Sequence, residues 1–343
     1  MRHLLNTLFV LTEDAYLALE NDNVVLWQEK RVLGRVPLLT LTNIVYFGYK
    51  GASPALMGAC ATHDIGLCFL TPQGRFLART SGESRGNVVL RRRQYRLADD
   101  GVASCHIARD FIAGKIHNSK TVLARGLRDH ALSVEQEAFQ QAISNLSQAA
   151  RQARNVEDKE TLRGMEGNAA HSYFSVFGQL ILRDKECFSF HSRVKRPPEG
   201  RVNALLSFAY TLLAHDCASA LESVGLDAYV GFLHTDRAGR TSLALDLMEE
   251  LRSIYADRFV LALINNRQIQ ADDFIEQENN CFFLTDDGKK AFLQAWQAKK
   301  REEIKHPFLG EKIPWGLVPY VQSLLLARYI RGDISEYPAF LWK

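Results

Sequence analysis

The sequence lacks any paired cysteine motif. Its six cysteines are scattered along 343 residues, and none belongs to a CxxC pair. Zinc ribbons, thiol redox sites and small disulfide-stapled domains all need cysteines at a closer or paired spacing. We therefore expect buried, unreactive thiols and a reducing, cytoplasmic compartment.

The N-terminal residues do not predict a leader segment, and a strong overall charge is missing. The N-terminal apolar run is short and soon reaches Glu13 and Asp14, so it predicts a strand and no membrane association. The net charge is only +3, with 47% hydrophobic and 24% charged residues, which is ordinary for a soluble protein. Any surface that binds a polyanion must therefore be a local feature.

The lengths of the apolar patterns predict two domains. Residues 1–85 contain short apolar or alternating runs separated by turn residues such as Asn21–Asp22–Asn23, Gly34 and Gly48, which is typical of β-strands. Residues 86–343 contain long runs of helix-forming residues. We predict an α+β protein, with a small N-terminal β-sandwich-like domain over 1–85 and a larger all-α C-terminal domain over 86–343.

Two turn motifs predict further hairpins. Pro72–Gln73–Gly74 lies between strand-like runs of the N-terminal domain, and Asp286–Asp287–Gly288 lies in a segment of alternating polar and aromatic residues over 269–298. Aspartate, proline and glycine are common turn residues, so we predict a hairpin at each position.

Basic residues are concentrated between residues 85 and 128. This stretch holds ten Lys or Arg against three Asp, a local excess of seven positive charges that includes Arg91, Arg92 and Arg93. Such a patch indicates a surface for a polyanion such as nucleic acid, but a solvated helix face with counter-charges elsewhere would have the same composition. A second basic loop, over 183–201, carries Arg193, Lys195 and Arg196; it is a plain linker or a loop that contacts phosphates.

A histidine and three carboxylates form the candidate catalytic set. Residues 229–252 begin with an apolar run, break at a polar turn that starts at His234, and resume as an apolar helix with Asp246 and Glu249 on one face. Glu166 lies on a separate predicted helix. Two carboxylates on a helix face are usually just solvated, but carboxylates with one imidazole are also a suitable ligand set for Mg²⁺ or Mn²⁺.

Glycines flank Glu166 on both sides. Gly164 and Gly167 lie inside a predicted helix, where each glycine costs about 1 kcal/mol relative to alanine. Such positions are explained by tight packing of another helix or by the close approach of a bulky ligand. The sequence leaves both explanations open.

Three segments together resemble a known family. They are GMEGNAAHSYF around Glu166, RVKRPPEGRVNALLSFAYTLL, and GFLHTDRAGRTSLALDLMEELR, which contains His234. They look like the corresponding motifs of the Cas1 family, the CRISPR-associated nucleases that integrate spacers. The resemblance covers nearly the whole chain and favours a type I system, with I-C as the expected subtype.

The resemblance implies a function and a set of site residues. It implies that Glu166, His234 and Glu249 bind Mg²⁺ or Mn²⁺, and that Asp246 supports them from an outer shell or at a second metal. It implies an integrase that inserts short foreign DNA fragments into the repeat array, through attack of a 3′-hydroxyl on a phosphodiester. It also implies a homodimer through the β domains, a small partner protein (Cas2), and both double- and single-stranded DNA as ligands. The residues expected to contact DNA are Arg91, Arg92, Arg93, Arg193, Lys195, Arg196 and Asn203.

Two rival functions use the same residues. A stand-alone metal-dependent nuclease for branched or damaged DNA would differ only in substrate, whereas a DNA-binding scaffold would need none of the candidate ligands. The C-terminal aromatic residues Trp315, Tyr320 and Trp342 serve a partner protein in one interpretation and pack on their own chain in the other.

Overall fold

The fold consists of two compact units. A computed structural model describes residues 7–12, 14–41, 43–72, 76–80, 88–194, 198–278 and 281–343. The first unit comprises Met1–Arg85 together with Leu284–Arg301, and the second comprises Gly86–Phe283 and Glu302–Lys343. The domains expected from the sequence, 1–85 and 86–343, stay a prediction.

Strands and helices are distributed unevenly along the chain. The strands are Thr7–Val10 (β1), Tyr16–Glu20 (β2), Asn23–Gln28 (β3), Arg31–Pro37 (β4), Asn43–Phe47 (β5), Gly66–Leu70 (β6), Phe76–Arg79 (β7), Phe274–Gln277 (β8), Cys281–Leu284 (β9), Glu303–Lys305 (β10) and Lys312–Pro314 (β11). The α-helices are Pro54–Thr62 (α1), Val88–Asp99 (α2), Gly101–Asp129 (α3), Gln136–Ala153 (α4), Lys159–Phe177 (α5), Arg201–Ser223 (α6), Ser242–Glu249 (α7), Arg258–Asn265 (α8), Asp286–Arg301 (α9) and Val318–Arg331 (α10). A β-rich N-terminal part followed by a mainly helical part confirms the predicted α+β class.

The first unit contains two sheets that share a core. One sheet has the order β1-β5-β6-β7, in which β7 alone is antiparallel to its neighbour, and the other is the antiparallel sheet β2-β3-β4. Leu17, Val24, Ile44, Leu56 and Leu67 come from both sheets and α1 and are buried in one cluster. The antiparallel strand β4 alternates exposed and half-buried residues, whereas β5, which pairs in parallel on both sides, is buried almost throughout.

The two predicted hairpin turns have different outcomes. The turn at Pro72–Gln73–Gly74 lies partly outside the described residues. The turn at Asp286–Asp287–Gly288 is wrong, because Asp286 begins α9 and the hairpin lies earlier, at β8 and β9. The Thr285 hydroxyl accepts a hydrogen bond from the Gly288 amide, at 3.0 Å, and acidic residues in a first turn stabilise the helix N-terminus. The aspartates that favour turns therefore form the first turn of a helix that Thr285 caps.

Helix α3 is the central element of the second unit. Asp100 caps its start by accepting hydrogen bonds from the amides of Val102 and Ala103, and α3 packs against α4, α5 and α7. After α7 the chain forms a π-helical segment, Arg252–Asp257, before α8. Short π-helical segments of this kind are frequent at functional sites.

The cysteines and helix α6 bear on the expected compartment. Cys60, Cys68, Cys105, Cys217 and Cys281 are buried, and Cys187 is exposed. Helix α6 is long and apolar enough to cross a membrane by length and composition, but 56% of its most apolar stretch is buried inside the protein. A core helix of a soluble protein has this appearance, and the cytoplasmic location stays a prediction.

Candidate metal and DNA site

Asp246 organises the loop that leads into α7. Its side chain is fully buried. Oδ2 accepts hydrogen bonds from the amides of Phe232 and Leu233, at 2.6 and 3.0 Å, and Oδ1 accepts one from the His234 amide, at 3.0 Å. These hydrogen bonds occupy both oxygens of the carboxylate. Asp246 therefore holds the loop in place rather than facing a ligand.

The same carboxylate orients the ring of His234. Nδ1 of His234 lies 2.6 Å from Asp246 Oδ1, so in the neutral ring this contact places the proton on Nδ1 and the lone pair on Nε2. Nε2 lies 4.0 Å from Glu249 Oε1. A carboxylate that fixes the tautomer of a histidine is the usual outer-shell partner of a metal ligand.

Glu166 and Glu249 share one counter-charge. The ammonium of Lys115, on α3, forms an ion pair with Glu166 Oε1, on α5, and lies 2.7 Å from Glu249 Oε2, on α7. Arg252 lies 3.0 Å from the other oxygen of Glu249. Three helices thus bring together two carboxylates that are 83 positions apart in the sequence.

Electrostatics keeps Glu249 ionised. Burial alone would raise its pKa, but the positive charges of Arg252 and Lys115 outweigh burial and lower the pKa to about 2. Glu249 therefore carries a negative charge at neutral pH. That is the condition a carboxylate must meet to bind a cation.

The residues present fit a divalent cation. Within the part of the chain that the structure describes, no three His, Cys, Asp or Glu side chains already converge as a ligand set. The Lys115 ammonium lies between Glu166 and Glu249 and pairs with both, so it acts as a stand-in cation there. Two carboxylates and one imidazole are, by their chemistry, a donor set that suits Mn²⁺ and also Mg²⁺.

A cavity of about 480 Å³ lies beside this cluster. It is lined by Lys115, Glu166 and Arg252, and further on by Arg193 and Tyr210. The helix face next to Glu166 is open as well, since a Cβ added at Gly164 or Gly167 would meet nothing within 4 Å. Tight helix packing therefore does not explain these glycines, whereas room for a bulky ligand is consistent with them.

The triplet of arginines on α2 is partly engaged by the protein. Arg91 Nε donates to the Gly225 carbonyl at 3.1 Å, and Arg93 donates to the Arg331 carbonyl at 2.7 Å. Arg92 is exposed. Arg91 and Arg93 thus have partners within the protein, whereas Arg92 faces solvent. Contact of the three arginines with DNA stays a prediction.

Asn203 secures the second basic loop. Its amide donates to the carbonyls of Ser192 and Glu199, at 3.0 and 2.9 Å, and accepts a hydrogen bond from Arg193 at 2.9 Å. Asn203 is buried, so the structure gives it a role in positioning the loop. Lys195 and Arg196 lie outside the described residues, and direct DNA contacts of this loop stay a prediction.

Sequence reasoning missed two members of the site. Arg252 follows Glu249 by three positions, a spacing that pairs side chains on a helix, so it could have been found. Lys115 was counted only as one charge of the basic stretch. Nothing local in the sequence links it to Glu166, 51 positions away.

The C-terminal aromatic residues pack on their own chain. Trp315 and Trp342 are buried, and the guanidinium carbons of Arg125 and Arg258 lie 3.8 and 4.2 Å from the centre of the Trp342 ring. Of the two interpretations of this segment, packing within the chain is the one that the structure shows.

Comparison with known proteins decides the family. The model of the family described as CRISPR associated protein Cas1 matches residues 8–298. The chain belongs to the Cas1 family. It is 48% identical, over its full length and that of the relative, to a protein named CRISPR-associated endonuclease Cas1 1 from Chlorobaculum tepidum. The predicted family is therefore confirmed, while the I-C subtype stays a prediction.

Solved structures show the same fold. A casposase bound to its integration product matches with a TM-score of 0.81 and 22% identity, over 98% of this chain and 94% of that one. A Cas6–RT–Cas1–Cas2 complex matches with a TM-score of 0.83 and 21% identity, over 100% of this chain and 36% of that one. At these identities the likeness concerns the Cas1 fold.

Proposed function

We propose that this Cas1-family chain is a CRISPR adaptation integrase. In this reaction the 3′-hydroxyl of a short DNA fragment attacks a phosphodiester of the repeat array. A new phosphorus–oxygen bond forms and the bond to the leaving 3′-oxygen breaks. The attacking hydroxyl loses its proton, and the leaving oxygen gains one. The observation that carries the proposal is that the Lys115 ammonium pairs with both Glu166 and Glu249 beside an open cavity, with His234 Nε2 4.0 Å from Glu249 Oε1.

Glu166, His234 and Glu249 would hold the Mg²⁺ or Mn²⁺ ion. When bound, the ion lowers the cost of deprotonating the hydroxyl and neutralises charge on the phosphate. The chain's own residues do the rest. Asp246 holds His234 in the tautomer that leaves Nε2 free, and Arg252 maintains the charge on Glu249.

The basic residues have a separate role. We propose that Arg91, Arg92, Arg93 and the 193–203 loop bind the DNA backbone and position it without reading its sequence. The relatives' names support a nuclease, and the Cas1–Cas2 complex supports Cas2 as the partner of this chain. We further propose that the chain works as a homodimer through its β unit.

The test is joining of a labelled DNA fragment to a supercoiled plasmid that carries a repeat array, with Cas2 and Mn²⁺ or Mg²⁺ present. Glu166→Ala and His234→Ala should each abolish joining while the circular dichroism spectrum stays unchanged. Glu160→Ala removes an exposed carboxylate from the same helix as Glu166 and should join DNA normally. Joining at the wild-type rate by either site variant would refute the proposal.

One rival function is separated by the same assay. If the chain were a stand-alone nuclease, water would replace the attacking hydroxyl at the same site. It would then cleave branched DNA in the presence of metal and join no fragment to the array.

A further inference from the structure

The Lys115 side chain is placed where the proposed function needs a metal ion. Its ammonium pairs with both Glu166 and Glu249, from α5 and α7. Lys115 and Glu249 are largely shielded, with 12% and 5% of their side chains exposed. Shielded charges interact strongly, so the two carboxylates would repel each other if nothing positive lay between them.

We propose that Lys115 is a built-in substitute for the metal ion. Its ammonium must leave the position between Glu166 and Glu249 when a divalent cation binds there. Lys115 and Arg252 supply one positive charge each, so the two glutamates are balanced in the metal-free protein. A divalent ion at the position of the ammonium would replace the charge that Lys115 withdraws when it leaves. The two cations cannot share the position, because like charges at this separation repel.

The lysine has the means to leave. Its ammonium is carried by a flexible four-carbon chain and is readily hydrated. Lys115 also lines the cavity of about 480 Å³ beside the cluster, so the side chain has room to swing aside. An arginine in its place would lack this compactness, since its planar group needs a fork-like partner.

Two consequences follow, and both rest on the proposed metal site. First, Lys115 stabilises the metal-free protein by holding α3, α5 and α7 together. Second, it weakens metal binding, because each binding event must break the two ion pairs. Close charge pairs in proteins couple by about 1.5 kcal/mol or more, so removal of the lysine should tighten metal binding by roughly tenfold or more.

The first experiment measures Mn²⁺ affinity by the electron paramagnetic resonance of free Mn²⁺, together with thermal unfolding in EDTA and in saturating Mn²⁺. Lys115→Met removes the charge and keeps the length of the chain. We expect it to bind Mn²⁺ about tenfold more tightly than wild type, to melt earlier in EDTA, and to regain its stability in Mn²⁺. Lys120→Met, on the same helix, is the matched control and should behave as wild type.

A second experiment uses the unaltered protein, so it does not depend on how the variant folds. Lys115 acylation by an amine-reactive ester is followed by mass spectrometry, with and without Mg²⁺. Release of the ammonium should raise its labelling rate several-fold, with Lys120 as the internal reference.

The outcomes separate the two proposals. If wild type and Lys115→Met bind Mn²⁺ equally well and labelling does not change, the metal site stands and the substitution by Lys115 is refuted. If neither protein binds Mn²⁺, the proposed metal site itself fails, and with it this inference. If the variant binds more weakly, Lys115 supports the ion instead of competing with it, and the inference is overturned.

Discussion

Gly231 and Asp246 are so close that no other residue fits at position 231. A Cβ on Gly231 would lie 2.7 Å from Asp246 Oδ2 and 2.9 Å from the carbonyl carbon of Ser242. The missing side chain lets the loop pass over α7, so that three consecutive amides reach the Asp246 carboxylate. Placement of the proposed ligand His234 therefore begins with this glycine.

Gly231→Ala should displace the loop and weaken the site. We expect a loss of about 1–3 kcal/mol in the free energy of unfolding, because an added methyl group overpacks the buried contact. Gly167→Ala is the matched control, since the added Cβ meets open space. This substitution should stabilise α5 by up to about 1 kcal/mol. Urea unfolding of both variants checks this. Equal stability of the two would show that the loop accommodates the methyl group.

Asp246→Asn tests the outer-shell role of this carboxylate. An amide NH₂ in place of one oxygen would face backbone N–H groups or the ring proton of His234, and each unsatisfied buried group costs about 1–3 kcal/mol. Loss of such a partner typically reduces metal affinity by about 10–100-fold. We expect both effects, measured by thermal unfolding and Mn²⁺ titration. A variant that is less stable yet binds Mn²⁺ as tightly as wild type would mean that Asp246 serves the fold alone.

The sequence predicted the elements better than the contacts between them. Period-two patterns give the strands of the first unit, and the run around Asp246 and Glu249 gives an amphipathic helix, because these signals are local. The segment at Asp286 was mistaken for a turn, since aspartate favours turns and helix starts alike. Only the fold shows which of the two it forms.

The residues of the candidate site were likewise only partly predictable from the sequence. Glu166, His234 and Glu249 could be named because their motifs resemble those of a known family. The separate roles of Asp246 and Glu249 required the hydrogen bonds, which show one carboxylate filled by backbone amides and the other facing cations. Lys115 could not be found, because its partners are distant in sequence and meet it only after three helices have packed.

The arginines of α2 should separate into DNA-binding and structural residues. Arg92→Gln should reduce the slope of log affinity against log salt by about 0.9, the value for one phosphate contact, without a change in melting temperature. Arg93→Gln should lower the melting temperature, because its guanidinium bonds the carbonyl of Arg331 at the end of α10. Fluorescence anisotropy with duplex DNA at several salt concentrations measures the slopes. An unchanged slope in the triple Arg91/Arg92/Arg93 glutamine variant would exclude this surface from DNA binding.

Asp110 should make the protein less stable as the pH rises. Burial raises its pKa from 3.8 to about 7. The negative charge of Glu336 adds to this rise, and the positive charges of Arg109 and Arg154 oppose it. The folded state therefore holds a proton that the unfolded chain has lost between about pH 4 and pH 7, so stability falls with rising pH across that window. Asp110→Asn removes this dependence and should exceed wild type by up to about 4 kcal/mol at pH 8, with little difference at pH 4. Denaturant unfolding at both pH values, with Asp99→Asn as the exposed control, tests it. A difference that does not vary with pH would show that Asp110 is ionised in the folded protein.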